Sequence, residues 1–212
     1  MHLFAPPPVI ETEIFARLPD SMRRRQRTAW SLVNRAHAPD DVDCFLEGPA
    51  FDRDGNLYVV DIPFGRIFRV SPEGTFGLVA EYDGEPNGLK VHKDGRLFVA
   101  DYKQGIMVVD PASGRVEPYC DRFRLERFKG CNDLTFAENG DIFFTDQGQT
   151  GHQDPTGRVF RLTAGGQLEC LLGTIPSPNG IVLDNNQRIV YVAVTRANAV
   201  WRLPLMSDGG VS

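Results

Sequence analysis

A unit of 40 to 47 residues recurs four times along this chain of 212 residues. The copies begin at equivalent polar positions, Glu47, Asn87, Asn132 and Asn179. A repeat with this period is typical of solenoids, propellers and other arrays, so it constrains the fold more strongly than composition does.

Each copy carries the same pattern of short apolar runs separated by turn residues. In three copies an Asp-Gly or Asn-Gly pair follows the first run, at residues 54–55, 94–95 and 139–140. Such a pair between two apolar runs favours a tight β-hairpin. Two further runs follow, in the first copy at residues 66–70 and near 78–80. Four antiparallel strands per repeat predict the blades of an all-β β-propeller, because a β-sandwich would not copy motif positions from unit to unit.

We divide the chain into an N-terminal part, residues 1–45, and propeller blades over residues 46–212. In the first part, residues 10–18 are predicted to form a strand that could complete the outer edge of the last blade. Residues 21–37 are predicted to form a short helical insertion. That insertion would either cover one mouth of the propeller or simply lie on the surface.

The fourth copy stops at Ser212, before its fourth strand. Because a propeller removes exposed sheet edges by closing its ring, about four blades indicate an incomplete ring. We therefore expect a fragment, a truncated gene model or a chain completed by another copy. If another copy completes the ring, the chain would associate with itself through the unclosed sheet edge.

Charge and composition argue against several classes of protein. The formal net charge is −5, without the basic footprint of a nucleic-acid-binding protein. No run approaches the roughly 18 apolar residues of a membrane span, and the N-terminus lacks a secretory signal pattern. The four cysteines lie far apart without metal or disulfide spacing, which predicts reduced thiols in a cytoplasmic protein.

The repeat also predicts where polar side chains converge. The inner strand of each blade lines the central channel, so the polar residue that begins it lies at one mouth. Fourteen residues later in three copies come Asp61, Asp101 and Asp146, on strands that run back toward the same mouth. Asp133, beside Asn132, replaces a Gly of the other copies.

One carboxylate and several amide oxygens around a channel suit a hard divalent cation. The set favours calcium, magnesium or manganese, and zinc is less favoured because no His or Cys lies at these positions. In an alternative interpretation, Asn-Gly at a strand start is turn chemistry and the aspartates bind loop backbone. Glu47 favours the functional interpretation, since an acid there replaces the Asn of the other copies.

Three motifs carry a resemblance to a known family. They are Leu-Glu-Gly-Pro at 46–49, Cys-Asn-Asp-Leu at 131–134 with Phe-Phe-Thr-Asp at 143–146, and Ser-Pro-Asn-Gly at 177–180. Together they resemble the gluconolactonase/SMP-30 (regucalcin-like) family of six-bladed propeller lactonases. The likeness extends from about residue 10 to the end of the chain.

The resemblance implies one divalent metal on the propeller axis, held by Glu47 and Asn179, with Asn132 at both the metal and the substrate. The expected substrate contacts are Asn87, Asn132, Asp133 and Asp146. Calcium is the favoured ion, with magnesium, manganese, zinc and ferrous iron left open. The family's third ligand, an Asp also proposed as general base, would lie beyond Ser212, so the catalytic residue is unknown.

The implied activity is hydrolysis of a sugar lactone such as gluconolactone to the aldonic acid, with the metal polarising the lactone carbonyl. Without the third ligand, an inactive isolated chain is one expected outcome. Two alternatives stay open. One is a non-catalytic propeller that serves as a binding platform, and the other is a metal-dependent esterase or organophosphate hydrolase at the same site.

Overall fold

The computed structural model describes residues 8–34, 42–206 and 209–211, and contains four antiparallel sheets that follow one another along the chain. Within each of these sheets the strands lie side by side in chain order, and the first strand of each sheet contacts the first strand of the next. First strands in contact around a common axis are the geometry of a propeller. The predicted all-β propeller of about four blades is confirmed.

The four blades are described by their strands. Blade 1 contains β1 (Leu46–Phe51), β2 (Leu57–Asp61), β3 (Arg66–Val70) and β4 (Phe76–Glu81). Blade 2 contains β5 (Pro86–Val91), β6 (Leu97–Asp101), β7 (Gly105–Val109) and β8 (Val116–Cys120), and is followed by a ribbon of β9 (Arg122–Phe123) and β10 (Glu126–Arg127). Blade 3 contains β11 (Cys131–Phe136), β12 (Ile142–Asp146), β13 (Gly157–Leu162) and β14 (Leu168–Ile175). Blade 4 contains, within the described residues, β15 (Pro178–Leu183), β16 (Ile189–Val194) and β17 (Ala199–Pro204).

The predicted hairpin turns lie between the first and second strands of the blades. Gly55, Gly95 and Gly140 have φ values of 82°, 91° and 90°, a left-handed conformation that glycine adopts without steric cost. Blade 4 lacks this glycine, and Gln187 takes the positive φ of 58° in its place. The Asp-Gly and Asn-Gly pairs therefore mark the inner hairpins correctly.

The hydrophobic core lies between neighbouring blades. Val60 and Ile67 of blade 1 pack with Leu89 and Val99 of blade 2, and all four are fully buried. Equivalent clusters join blade 2 to blade 3 and blade 3 to blade 4. Because each blade buries its faces against its neighbours at close-packed density, packing fixes how the inner strands lie relative to one another.

Neighbouring inner strands approach so closely that a glycine is required near the start of β1 and of β5. A Cβ atom on Gly48 would overlap the carbonyl oxygen of Asn87, and one on Gly88 would lie 2.7 Å from the carbonyl oxygen of Asn132. The glycine of one copy thus packs against the polar residue that begins the next copy.

Asp133 occupies this glycine position in blade 3. Its Oδ2 accepts the N–H of Ile181 in blade 4 at 3.1 Å, and its Oδ1 accepts the N–H of Leu134 at 2.8 Å. Lys90 Nζ of blade 2 lies 3.6 Å from Asp133 Oδ1. The carboxylate therefore joins the inner strands of three blades, which a glycine could not do.

The second strands of blades 1 to 3 end in equivalent, fully buried aspartates, Asp61, Asp101 and Asp146. Each carboxylate accepts backbone N–H groups of nearby loops, such as that of Phe45 on Asp61 at 2.7 Å and that of Gly130 on Asp146 at 2.8 Å. Arg158 also donates from Nε to Asp146 at 2.7 Å. These contacts match the alternative interpretation, in which the aspartates hold loop backbone.

The predicted strand over residues 10–18 is wrong. This segment pairs with no strand among the described residues, and Ile10 and Phe15 are exposed. A strand needs a sheet edge for its backbone hydrogen bonds, and the apolar residues here do not create one. Leu18 is instead buried against Val59 on the face of blade 1.

The helical insertion predicted over residues 21–37 is shorter than expected. Helix α1 spans Ala29–Asn34, after a 3-10 turn at Asp20–Met22. Residues 35–37 lie outside the described residues. Within the described part of the chain, no helix is long and apolar enough to cross a membrane.

Replacing Gly48 with Ala should destabilise the propeller strongly. The new Cβ would overlap the Asn87 carbonyl oxygen, and the φ of 57° is itself unfavourable for Ala. We expect a loss of about 3 kcal/mol or more in the free energy of unfolding, measured with urea. Gly95→Ala is the matched control, since φ is 91° but the space is open, and should lose only about 1 kcal/mol. Equal losses would show that the inner strands tolerate a side chain.

Burial raises the pKa of the Asp146 carboxyl, while the Gly130 N–H and Arg158 lower it. Replacing Arg158 with Met removes the cation, so this pKa should rise further. We expect a loss of about 3 kcal/mol in the free energy of unfolding at neutral pH. A carboxyl whose pKa is higher in the folded than in the unfolded protein stabilises the folded state when the pH is below the unfolded-state pKa. That stabilisation is lost as the pH rises through the folded-state pKa. The deficit should therefore be larger at neutral pH than at acidic pH, measured by urea unfolding.

Arg115→Met is the control for this variant. Arg115 pairs with Glu117 on the surface, so its loss should change the free energy of unfolding by less than about 0.5 kcal/mol. A deficit in the Arg158 variant that is the same at acidic and at neutral pH would contradict the pairing of Arg158 with an ionised Asp146.

Candidate functional site

A cavity of about 240 Å³ opens at the mouth where the inner strands begin. The four polar residues that start the sequence repeats all line it, Glu47, Asn87, Asn132 and Asn179. They come from four successive blades, so the cavity lies at the axis around which the blades are arranged. The structure thus brings together the side chains that the repeat pattern placed at one mouth.

An irregularity in each inner hairpin accompanies this arrangement. The register between the first and second strands shifts between Glu47 and Ala50 in blade 1 and between Cys131 and Leu134 in blade 3, with equivalent shifts in blades 2 and 4. Such a β-bulge bends a strand and re-aims a side chain. The bulges explain how polar residues at the strand starts can face the cavity.

A second set of equivalent residues lines the same cavity. Ile62, Tyr102 and Gln147 each follow the aspartate that ends a second strand, and each donates its backbone N–H to a loop carbonyl of its own blade. In blade 4 the exposed Arg196 reaches the cavity from the short 3-10 turn after β16. Two sets of repeat-equivalent residues therefore line the cavity, one from the starts of the copies and one from the positions after the second strands.

Helix α1 lies beside this mouth. Trp30 and Asn34 line the cavity, and the Trp30 ring centre is 4.9 Å from that of Phe45. This position favours the interpretation in which the insertion covers a propeller mouth. A wider cavity of about 730 Å³ shares Trp30 and Tyr102 with the first.

Asn132 is the most buried of the four polar residues, with 6% of its surface exposed. Its Nδ2 donates to Gln147 Oε1 at 2.8 Å, and Gln147 Nε2 donates to Ser177 Oγ at 2.8 Å. An Asn side chain has one oxygen and one NH2 group. With Nδ2 held by Gln147, the amide oxygen of Asn132 is left for the cavity.

Asn179 is held through its backbone. The buried hydroxyl of Thr145 donates to the Asn179 carbonyl oxygen at 2.7 Å and accepts the Asp133 N–H at 3.1 Å. The side-chain amides of Asn179 and Asn87 form no hydrogen bond with the described residues. Both amides are therefore available to a ligand in the cavity.

Ser177 lies at a strained backbone position. Its φ is 61°, uncommon for a residue other than glycine, and its surface is 3% exposed. Blade 4 has Val194 where blades 1 to 3 have the buried aspartate, so no carboxylate accepts the Ser177 N–H. Thr150 Oγ1 accepts it instead at 3.0 Å and donates to the Gln147 carbonyl oxygen at 2.6 Å. The loop that carries Gln147 and Thr150 thus ties blade 3 to blade 4.

Two predicted substrate contacts lie outside the cavity. The Asp133 carboxylate bridges inner strands, and Asp146 is fully buried between Gly130 and Arg158. Their oxygens already accept hydrogen bonds from the protein, which leaves them poorly placed to hold substrate hydroxyls. Of the residues expected to contact the substrate, Asn87 and Asn132 do line the cavity.

The donor set fits a divalent cation that prefers oxygen ligands. The cavity offers the carboxylate of Glu47 and the amide oxygens of Asn132 and Asn179. Among the described residues, no group of three or more His, Cys, Asp or Glu side chains could hold a metal ion. Amide oxygens would therefore complete the ligand set, as calcium and magnesium allow, whereas zinc sites are built mainly from His and Cys.

Burial opposes the ionisation of two groups, Tyr102, which lines both cavities, and Glu85, which lines only the wider one. Burial raises the pKa of Tyr102, against a hydrogen bond from Gln149 Nε2 to its Oη at 2.9 Å. Burial also raises the pKa of Glu85, and the negative charge of Asp101 adds to this effect. The Tyr102 phenol therefore stays protonated at neutral pH and can donate a hydrogen bond.

Another cavity, of about 300 Å³, lies at the opposite ends of the strands in blades 3 and 4. Turn residues such as Asn139 and Gln187 line it, together with Arg161, whose Nη2 is 2.7 Å from Asp141 Oδ2. It contains none of the residues that begin the repeats, and its cation is already paired. The cavity at the mouth is therefore the candidate functional site.

Sequence reasoning missed Gln147, Ser177 and Trp30. The repeat does contain a signal for Gln147, since this residue is polar where blades 1 and 2 have Ile62 and Tyr102. Ser177 carries no comparable signal, because its role depends on a positive φ and on a loop from another blade. Trp30 lies outside the repeat, so only the packing of helix α1 reveals it.

Comparisons with known proteins confirm the family resemblance. A family model described as SMP-30/Gluconolactonase/LRE-like region matches residues 45–212. Lactonase drp35 from Staphylococcus aureus (strain MRSA252) is 31% identical over 174 residues, which covers 77% of this chain and 52% of that protein. A gluconolactonase from Zymomonas mobilis is 30% identical over 188 residues, covering 77% of this chain and 53% of that protein. The chain spans about half the length of these curated relatives.

Solved structures show the same fold. A gluconolactonase from Xanthomonas campestris has a TM-score of 0.71 at 21% identity, over 96% of this chain and 73% of that one. A calcium-binding protein, regucalcin, from Agrobacterium tumefaciens has a TM-score of 0.63 at 20% identity, over 78% of this chain and 56% of that one. Since the family model covers most of the sequence, the chain belongs to the SMP-30/gluconolactonase/LRE-like family.

Proposed function

We propose that the intact protein is a metal-dependent lactonase that opens a sugar lactone, of the gluconolactone kind, to the aldonic acid. One observation carries the proposal: the repeat-equivalent polar residues line a single cavity, Glu47, Asn87, Asn132 and Asn179. The names of the relatives support the reaction class, since they are a lactonase and a gluconolactonase.

The size and polarity of the cavity support a small polar substrate. A volume of about 240 Å³ is at the small end for a ligand pocket, which suits one sugar ring better than an oligosaccharide. The Asn87 amide can both accept and donate hydrogen bonds, as recognition of sugar hydroxyls requires, and the Asn132 amide oxygen can accept one. The Tyr102 phenol adds a donor at the rim.

Glu47, Asn132 and Asn179 would hold the metal. A divalent cation held by these residues would supply Lewis-acid stabilisation of the negative charge that develops on the lactone carbonyl oxygen. Glu47 contributes the one negative charge, and the neutral amides leave positive charge facing the substrate. Calcium is the favoured ion, supported by a structural relative described as calcium-binding. Magnesium, manganese, zinc and ferrous iron are the alternatives.

The reaction adds one water molecule across the ring ester bond. The water oxygen bonds to the carbonyl carbon, the bond from that carbon to the ring oxygen breaks, and the ring oxygen takes up a proton. The acid formed ionises near neutral pH, so turnover acidifies the solution. Asn87 and Asn132 would orient the ring by its hydroxyls. We assign no general base within the described residues.

Replacing Glu47 with Gln tests the proposal in the intact gene product. The variant keeps the size of the side chain but removes the only carboxylate among the four mouth residues. Metal affinity should fall by more than about 100-fold, which exceeds the loss typical when a residue that hydrogen-bonds to a metal ligand is mutated. Lactonase activity on glucono-1,5-lactone, followed with a pH indicator, should be lost with it. Metal content after dialysis gives the second measurement.

Glu117→Gln is the matched control, because Glu117 is a surface carboxylate paired with Arg115. It should leave metal content and activity unchanged. A binding platform predicts instead that the parent protein has neither metal nor hydrolase activity, so that Glu47→Gln changes nothing. An esterase or organophosphate hydrolase predicts metal-dependent turnover of aryl esters or phosphotriesters without turnover of aldonolactones.

Two further predictions accompany this proposal. The protein would act in the cytoplasm, in keeping with four cysteines that are all unpaired. Copies of the chain could associate through the unclosed propeller edge, where Val200 of β17 is 68% exposed. The expected binding partner of the protein is a small-molecule lactone, and neither a nucleic acid nor a membrane is expected to bind.

A further inference from the structure

Gln147 is a departure from the repeat at the wall of the cavity. The equivalent residues of blades 1 and 2, Ile62 and Tyr102, line the same cavity but form no hydrogen bond to the polar residue that begins a sequence copy. Gln147 alone of these three contacts such a residue, through the hydrogen bond from Asn132 Nδ2 to its Oε1 at 2.8 Å.

We propose that Gln147 is a positioning residue, which holds the amide of Asn132 so that its oxygen faces the metal and substrate. This inference rests on the proposed function, in which Asn132 Oδ1 is a ligand. It assigns Gln147 no direct contact with the metal. The effect of Gln147 on binding would pass entirely through Asn132.

An amide ligand needs such a partner for a chemical reason. A carboxylate presents two equivalent oxygens, whereas an amide presents one oxygen and one NH2 group, which repels a cation. Rotation of the Asn132 amide by a half turn would put Nδ2 into the cavity. The acceptor on Gln147 opposes that rotation, since it would lose the hydrogen bond and bury an unpaired polar group.

Gln147 is itself held in place from blade 4. Its Nε2 donates to Ser177 Oγ at 2.8 Å, and its carbonyl oxygen accepts the Thr150 hydroxyl at 2.6 Å. The same hydroxyl accepts the Ser177 N–H at 3.0 Å. Ser177 keeps a φ of 61° and is buried, so the structure tolerates strain where the network needs a hydroxyl.

The test compares Gln147→Leu with Gln147→Glu in the intact gene product. Leu removes the acceptor, whereas Glu keeps an acceptor for Asn132 Nδ2 and can accept a hydrogen bond from the Ser177 hydroxyl. Affinity for Ca²⁺ and for Mn²⁺, each measured by calorimetric titration, should fall about 10- to 100-fold in the Leu variant. The Glu variant should keep the affinity of the parent protein or exceed it.

Gln149→Leu is the matched control. Gln149 lies two residues along the same loop and binds Tyr102 rather than Asn132, so its loss should leave metal affinity unchanged. In an Asn132→Ala background, Gln147→Leu should cause no additional loss of metal affinity. An additional loss as large as in the parent background would overturn the proposed route through Asn132.

Ser177→Gly separates positioning from folding if Gln147→Leu does not fold. Glycine relieves the positive φ, so the urea midpoint should stay the same or rise. Loss of the hydroxyl should still lower metal affinity by about 5-fold, the effect of one hydrogen bond. Parent-like metal affinity in folded Gln147→Leu or, where that variant does not fold, in Ser177→Gly would overturn the inference and leave the proposed function standing. Absence of binding of every candidate ion (Ca²⁺, Mg²⁺, Mn²⁺, Zn²⁺ and Fe²⁺) by the parent protein would instead contradict the proposed function.

Discussion

The close approach of neighbouring inner strands is the constraint on which the candidate site depends. Gly48 and Gly88 allow the backbone of one blade to contact the carbonyl oxygen of the polar residue that begins the next sequence copy. Those residues, Asn87 and Asn132, are the same ones whose side chains line the cavity. The contacts that hold the blades together therefore also set the spacing of the polar groups, and a shift in one would move the other.

Departures from the repeat are concentrated where blade 3 meets blade 4. Asp133 replaces a glycine and binds the backbone of blade 4. Gln147 replaces an apolar or aromatic residue, and Val194 replaces a buried aspartate whose place as acceptor is taken by Thr150. A perfect repeat would give a cavity with equivalent walls. These substitutions make one wall of the cavity different from the others.

Much of the fold could be predicted because its signals are local. The period, the glycine turns and the position of Glu47 in the first copy are all visible in a single sequence, and the propeller places the strand starts together. The direction of a side chain at the end of a strand is not local, because it depends on which loop offers N–H groups. The sequence therefore could not reveal that Asp146, expected as a substrate contact, accepts hydrogen bonds from Gly130 and Arg158. The segment at residues 10–18 failed similarly, since apolar residues do not supply a sheet edge.

The choice of amides over carboxylates at the mouth explains why this site needs more support than sequence can reveal. Four carboxylates on one axis would repel one another strongly in the absence of a cation. With one carboxylate and three neutral amides, the protein can fold without a cation to balance the charge at the site. Amides, however, must be oriented. Asn179 has its backbone fixed by Thr145, and Asn132 has its side chain fixed by Gln147. In the proposed metal site, neutral amide ligands lower this repulsion but need a second layer of hydrogen bonds to orient them. The buried network of Gln147, Thr150 and the strained Ser177 supplies such a layer.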